Sequence, residues 1–292
     1  MRIGLIDVDG HNFPNIALMK LSTWHKQQGD KVEIVFPMSN YDRVYMSKVF
    51  DFTPDFNTCI NAKEVIKGGT GYTLNGELPE EIESIYPDYS LYNIKNTAYG
   101  FLTRGCPRGC PFCIVKTKEG GLSVKVADLE QFWRGQKEIK LLDPNLLACK
   151  DKKDLLQQLI DSKAWVDFTQ GLDIRLMTDK DIEQIKQIKI KMIHFAWDRQ
   201  KDEDKIITNL RAFKAATNID ARKTRVYVLT NYETDFDYDL YRVYKLKELD
   251  YDPYIMIYKK EKLPKKHQLR RLQRWVNNKF IFRSCARFED YK

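Results

Sequence analysis

The run Thr103-Arg104-Gly105-Cys106-Pro107-Arg108-Gly109-Cys110-Pro111-Phe112-Cys113 sets three cysteines in C-x3-C-x2-C spacing, with an aromatic residue before the last. Three thiolates on one short loop can hold three irons of a [4Fe–4S] cluster, leaving the fourth iron open to a substrate or cofactor. Gly105, Pro107, Gly109 and Pro111 suit a loop that curls its sulfurs around one centre. The competing reading is a structural zinc site completed by a distant ligand such as Cys285 or a histidine. Zinc sites usually come as two C-x2-C pairs, and the sequence has no second pair. Cys59, Cys149 and Cys285 are far apart and read as small buried hydrophobes.

Downstream of this run the chain repeats a strand-then-helix rhythm. Candidate strands are 99–103, 138–142, 166–169, 190–196, 225–229 and 254–257. Between them, Leu155, Leu156, Leu159 and Ile160 share a helical face, as do Ile182 and Ile185 after the capping pair Thr178 and Asp181. Ile206, Ile207, Leu210 and Phe213 form a third stripe, and Leu240 and Val243 a fourth. Six βα units in a row predict an α/β fold with a parallel sheet, open or curved into a barrel. In parallel barrels the chemistry collects at the C-terminal ends of the strands. The cysteine run follows the first strand of the series, at that end.

Upstream, residues 1–95 read as a Rossmann-like α/β domain. A strand at 3–8 leads to a helix carrying Leu18, Leu21, Trp24 and His25, which Gly29 ends, and a second strand follows at 32–36. The apolar stretch 56–60 predicts a further strand, and Gly68-Gly69-Thr70-Gly71 a loop. The stretch 75–97, with Pro79 and Pro87 and no clear period, reads as a linker or lid.

The chain has 292 residues and a net charge of +8, unevenly spread. Residues 259–292 hold twelve Lys/Arg against three Asp/Glu, so the basicity belongs almost wholly to that tail. Its Leu269, Leu272 and Trp275 predict a helix packed on the main domain, and its cations offer nucleic acid as an alternative partner. No run reaches membrane-spanning length, and Asp7 interrupts the first apolar stretch too early for a signal peptide. A cytoplasmic, soluble protein without membrane contact is expected. Six cysteines in this length do not make a disulfide framework.

Cys106, Cys110 and Cys113, with Phe112, resemble the C-x3-C-x-Φ-C signature of radical S-adenosylmethionine (radical SAM) enzymes, and the resemblance covers most of residues 98–258. It implies a partial (βα)6 barrel over 96–258, with the three cysteines holding a [4Fe–4S] cluster. It further implies that SAM sits on the open iron and is reductively cleaved to a 5′-deoxyadenosyl radical, which takes hydrogen from a substrate the sequence does not identify. Position by position, the resemblance implies SAM contacts from Phe112, Asp143, Asn145, Gln170, Asp173 and Arg175. Phe112 would lie beside the adenine. Asp143 and Asn145 would meet the amino group, where Gly-Gly-Glu is more common, and Arg175 would meet the carboxylate. Asp143-Pro144 equally reads as a turn, and Asp173 with Arg175 as an ion pair. An external electron donor such as a flavodoxin or ferredoxin is implied.

The N-terminal domain resembles the cobalamin-binding-type domain of one branch of that family, and Gly68-Gly69 its nucleotide-tail loop. The usual D-x-H-x-x-G motif is absent around Asp9-Gly10-His11, so His11 is not expected to ligate cobalt and the domain is expected to lack cobalamin. The alternative functions are a cobalamin-dependent radical SAM methyltransferase, and a nucleic-acid-binding protein with a structural metal site and the basic helical extension 259–292.

Overall fold

The computed structural model describes residues 1–10 and 13–291, so the reading of His11 lies outside the described residues. The chain divides into two compact units, Met1–Gly100 with Ala127–Lys137, and Phe101–Val126 with Glu138–Lys292. Both are mixed α/β. Among the described residues no helix is long and apolar enough to cross a membrane.

The first unit contains strand β1 (Arg2–Asp7), helix α1 (Ile16–Gln27), strands β2 (Lys31–Ile34), β3 (Asn40–Ser47) and β4 (Asn61–Gly68), the one-turn helix α2 (Glu80–Glu83) and strand β5 (Thr97–Gly100). The first four strands form a parallel sheet in the order β2-β1-β3-β4. Asn15 starts α1 by accepting from the Leu18 N–H at 3.2 Å, and Leu18, Met19 and Leu21 are buried. Two expectations are corrected. No strand occupies 56–60, and β3 and β4 lie outside every segment the apolar pattern marks. In β4 the reason is position. It is the edge of its sheet, exposed on both faces, and carries Lys63, Glu64 and Lys67, which keep an open edge from pairing with another chain. The 75–97 stretch is not featureless, since it holds α2 and a 3-10 turn at Tyr89–Tyr92.

The second unit begins with the short strand β6 (Thr103–Arg104), the helix α3 (Val115–Glu119) and strand β7 (Val124–Lys125). Then come β8 (Glu138–Leu141), α4 (Lys152–Ser162), β9 (Trp165–Phe168), α5 (Asp179–Ile185), β10 (Lys189–Ala196), α6 (Glu203–Thr217), β11 (Thr224–Thr230), α7 (Phe236–Glu248), β12 (Asp252–Ile257), α8 (Gln268–Asn277) and α9 (Lys279–Ser284). Within this unit the main sheet runs β12-β11-β10-β9-β8, every neighbouring pair parallel. The expected apolar stripes are buried at Leu155, Leu156, Leu159, Ile160, Ile182, Ile185, Ile206, Leu210, Phe213 and Val243, whereas Ile207 and Leu240 are not fully buried and Leu246 is. The Thr178–Asp181 pair forms a reciprocal capping box at the start of α5.

Two devices fix the end of the sheet where the site lies. Arg242 of α7 is fully buried, donating to the Trp197 carbonyl at 2.6 Å and the Leu229 carbonyl at 2.8 Å, and pairing with Asp239. It thereby fastens α7 to the C-terminal ends of β10 and β11. At the sheet edge, Asn277 of α8 accepts from the Ile255 N–H at 2.8 Å and donates to the Ile255 carbonyl at 3.0 Å, as a neighbouring strand would. Leu269, Leu272, Trp275 and Val276 of the same helix are buried, so α8 covers the open edge of β12.

Candidate functional site

The cysteines lie on a loop clamped at its base. β6 and β7 pair antiparallel, Thr103 opposite Lys125 and Arg104 opposite Val124, so residues 105–123 leave and return at one place. Gly105 has φ +83°, and a Cβ there would lie 2.0 Å from the Leu122 carbonyl oxygen. Only glycine lets the two arms of the loop come this close. The Cys106 N–H donates to the Gly120 carbonyl at 3.2 Å, and Glu119 accepts from the Gly105 N–H at 3.2 Å and from Arg104 Nη1 at 2.8 Å. The Cys113 N–H donates to the Cys110 carbonyl at 2.9 Å, a tight turn that brings the last two cysteines together.

Behind the loop, Asp143 follows β8. Its buried carboxylate accepts from the Leu102 N–H at 3.1 Å, the Thr103 N–H at 2.6 Å and the Thr103 hydroxyl at 2.7 Å. Burial pushes this carboxyl up to about 6 despite the three donors. The residue thus anchors the chain just ahead of the cysteines. Asn145 is buried beside it. Its Nδ2 donates to Cys106 Sγ at 3.4 Å, while its Oδ1 is buried and, among the described residues, has no hydrogen-bond partner.

The loops after β9 and β10 supply charge. Arg175 Nε donates to Asp173 Oδ1 at 2.7 Å and its Nη1 to Asp202 Oδ2 at 2.6 Å. Arg108, from the cysteine loop itself, donates to Asp173 Oδ2 at 2.6 Å, and Arg199 approaches Asp202 at 3.1 Å. Burial opposes ionisation of Asp173, but Arg175 and Arg108 outweigh it and hold the carboxyl below its ordinary value. This chain of three guanidiniums and two carboxylates ties the cysteine loop to the sheet. Loss of hydration raises the Cys110 thiol, and the nearby Arg199 and Arg175 work against that rise, while Asp198 adds to it. Loss of hydration raises Cys113 as well, reinforced by Cys106 and Asp198. Asp198 itself is pushed up to about 6, by burial first. An aromatic row completes the rim. Phe112 meets Tyr232, after β11, edge to face at 4.9 Å between ring centres, and Tyr232 meets Tyr258, after β12, at 5.1 Å.

Of the residues singled out by sequence, Cys106 and Asn145 meet directly, and Arg175 and Asp173 form a network with Arg108 in which Arg175 lies close to Cys110. Gln170 is exposed and joins none of these contacts. Asp198, Arg199, Asp202 and Tyr232 were not singled out. Their signal was the polar stretch that follows directly on an apolar strand, Trp197-Asp198-Arg199 after β10 and Asn231-Tyr232 after β11. His194 is buried, stacked on Tyr227 at 5.0 Å and bonded to the Phe168 carbonyl at 3.0 Å, a packed core residue. In the first unit, a Cβ on Gly69 would lie 2.4 Å from the Lys48 carbonyl oxygen, so the glycine loop there serves contact with its own chain.

Among the described residues no group of three or more His, Cys, Asp or Glu is drawn together around one metal ion. A [4Fe–4S] cluster does not ask for that, because each thiolate binds a different iron across a cluster several ångströms wide. Three thiols on one clamped loop, an amide N–H on one sulfur and guanidiniums beside another suit an anionic iron–sulfur group.

No family model and no curated protein sequence matches the chain. Among solved structures, Streptococcus suis SuiB bound to S-adenosylmethionine superposes with a TM-score of 0.47 at 17% identity, over 65% of this chain and 48% of that one. SuiB bound to the precursor peptide SuiA gives 0.44 at 14% identity, over 65% and 47%. The chain spans about half the length of these structures. At such values the likeness does not bear on activity.

Proposed function

We propose that the chain is a radical SAM enzyme, with a partial (βα)6 barrel over residues 96–258 and a [4Fe–4S] cluster on Cys106, Cys110 and Cys113. The observation that carries this reading is the C-x3-C-x-Φ-C run on a glycine-dependent loop at the C-terminal end of a parallel sheet. When bound, the cluster supplies the electron that cleaves SAM to methionine and a 5′-deoxyadenosyl radical.

The chain's own residues then have distinct tasks. Asp143 holds the backbone of Leu102 and Thr103, and with it the angle at which the cysteines leave the sheet. Asn145 steadies Cys106 through its N–H, and its unpartnered Oδ1 is the buried acceptor suited to the SAM ammonium. The guanidinium of Arg175 is already engaged by Asp173 and Asp202, so it acts on the SAM carboxylate as a fixed positive charge rather than as a free two-point clamp. Phe112 and Tyr232 offer an aromatic wall for the adenine. Electrons come from an external donor such as a flavodoxin or ferredoxin. No observation favours cobalamin in the first unit.

The test is anaerobic reconstitution followed by SAM and dithionite, with the products separated by chromatography. 5′-Deoxyadenosine is expected. A fully loaded cluster that yields none contradicts the proposal.

A further inference from the structure

The basic tail is not uniformly basic at its surface. Lys279 is held by Asp252 and the Pro253 carbonyl, Arg270 by two backbone carbonyls, and Arg271 lies over the Phe288 ring at 4.7 Å. The apolar face of α8 is buried. The densest open charge is the loop 259–266, where Lys259, Lys260, Lys262, Lys265 and Lys266 are all exposed and, among the described residues, form no ion pair; Arg274 and Arg283 are exposed singly beyond it. One acidic residue, Glu261, lies among them.

This loop is held in shape and placed at the site. Arg270 Nη2 donates to the Lys260 carbonyl at 2.6 Å and to the Leu263 carbonyl at 3.0 Å, bridging the loop from α8. Asn231 Nδ2 donates to the Tyr258 carbonyl at 2.8 Å, joining the residue just before the loop to the turn after β11. Lys259 Nζ lies 5.0 Å from the centre of the Tyr258 ring. From there the aromatic row Tyr258, Tyr232, Phe112 leads to the residue before Cys113. Tyr232 and Tyr258 are half-buried, so part of each ring faces solvent.

A fixed set of cations beside partly open aromatic rings is the combination that binds a single-stranded nucleic acid. The lysines neutralise phosphates, and the rings stack on bases without regard to sequence. An acidic protein surface would use the charge but has no need of the rings. We infer that the loop 259–266, with Tyr258 and Tyr232, binds single-stranded nucleic acid at the mouth of the cysteine site, making a nucleic acid the substrate class. The assignment as substrate rests on the radical SAM reading, whereas the binding does not.

Fluorescence anisotropy of the full chain with a labelled single-stranded RNA of mixed sequence, and with its DNA counterpart, tests this over a range of salt concentrations. Binding is expected to weaken steeply with salt. Replacing the five loop lysines by alanine should reduce affinity at least tenfold and flatten the salt slope. Removing equal charge at Lys153, Lys180, Lys189, Lys201 and Lys205 should leave both nearly unchanged. Tyr258→Ala should weaken binding by about tenfold while keeping the salt slope, as loss of a stacking platform requires. Absent binding, salt-insensitive binding, or equal losses in the loop and control variants would overturn the inference. So would a small acidic redox protein that competes for the loop lysines where both nucleic acids fail. SAM cleavage measured on the same preparation separates the outcomes. Nucleic-acid binding without SAM cleavage refutes the enzyme reading, and cleavage without binding of either nucleic acid refutes this one.

Discussion

Asp143 shows how much one buried side chain can decide. Its carboxylate accepts two backbone N–H groups and a hydroxyl at the root of the cysteine loop. Asp143→Ala strands these donors in a buried place, at a predicted cost of about 3 kcal/mol in urea unfolding, whereas Asp143→Asn keeps an acceptor and costs less. The pH dependence has a definite sign. The folded value, about 6, lies above the ordinary 3.8, so the folded state holds this proton more tightly. The stability it contributes is full below about pH 4 and lost as pH rises through about 6, and the difference between the parent and Asp143→Asn should show that slope. Asn145 makes a separate prediction. An N–H on a cluster-bound sulfur favours the more negative, reduced state. Losing about 1 kcal/mol of hydrogen bonding in Asn145→Ala should therefore lower the cluster midpoint potential by roughly 40 mV in a redox titration. An unchanged potential would mean that the 3.4 Å contact to Cys106 is only structural.

At the scale of elements, the cysteine loop depends on its glycine. Gly105→Ala sets a Cβ against the Leu122 carbonyl and requires a left-handed backbone, so the protein should fold yet lose most of its bound iron on desalting. At the edge of β12, Asn277→Ala removes its own two bonds to Ile255, leaving the N–H unpaired while Gln273 still donates to the carbonyl at 3.0 Å, and about 2 kcal/mol of stability goes with them. The freed edge of β12 should also raise light scattering at high protein concentration. The strands β8 to β12 were legible because buried parallel strands are short apolar runs between amphipathic helices. β4 was not, because an exposed edge strand carries lysines and glutamate where a pattern reader looks for alternation. The residues after β10 were missed for another reason. Asp198, Arg199 and Asp202 are ordinary surface types, and only the return of the chain beside Cys110 gives them a role. The cysteine triad and Asn145 stood out because their spacing and their place after strands speak without coordinates.

At the scale of the molecule, two α/β units divide the chain, and the groups that could do chemistry gather in the second. The tail that makes the protein basic is mostly a lid on an open sheet edge, and its open charge is densest in one lysine loop, with Arg274 and Arg283 also exposed further along. The whole account stands on a metal group at the cysteine loop. The direct test is to purify the protein without oxygen, record its visible spectrum and assay iron, sulfide and zinc. The account predicts a brown protein absorbing broadly near ~400 nm with about four iron and four sulfide per chain, all lost when Cys106, Cys110 and Cys113 become alanine. A colourless protein holding about one zinc, and taking up no cluster on reconstitution, would contradict it.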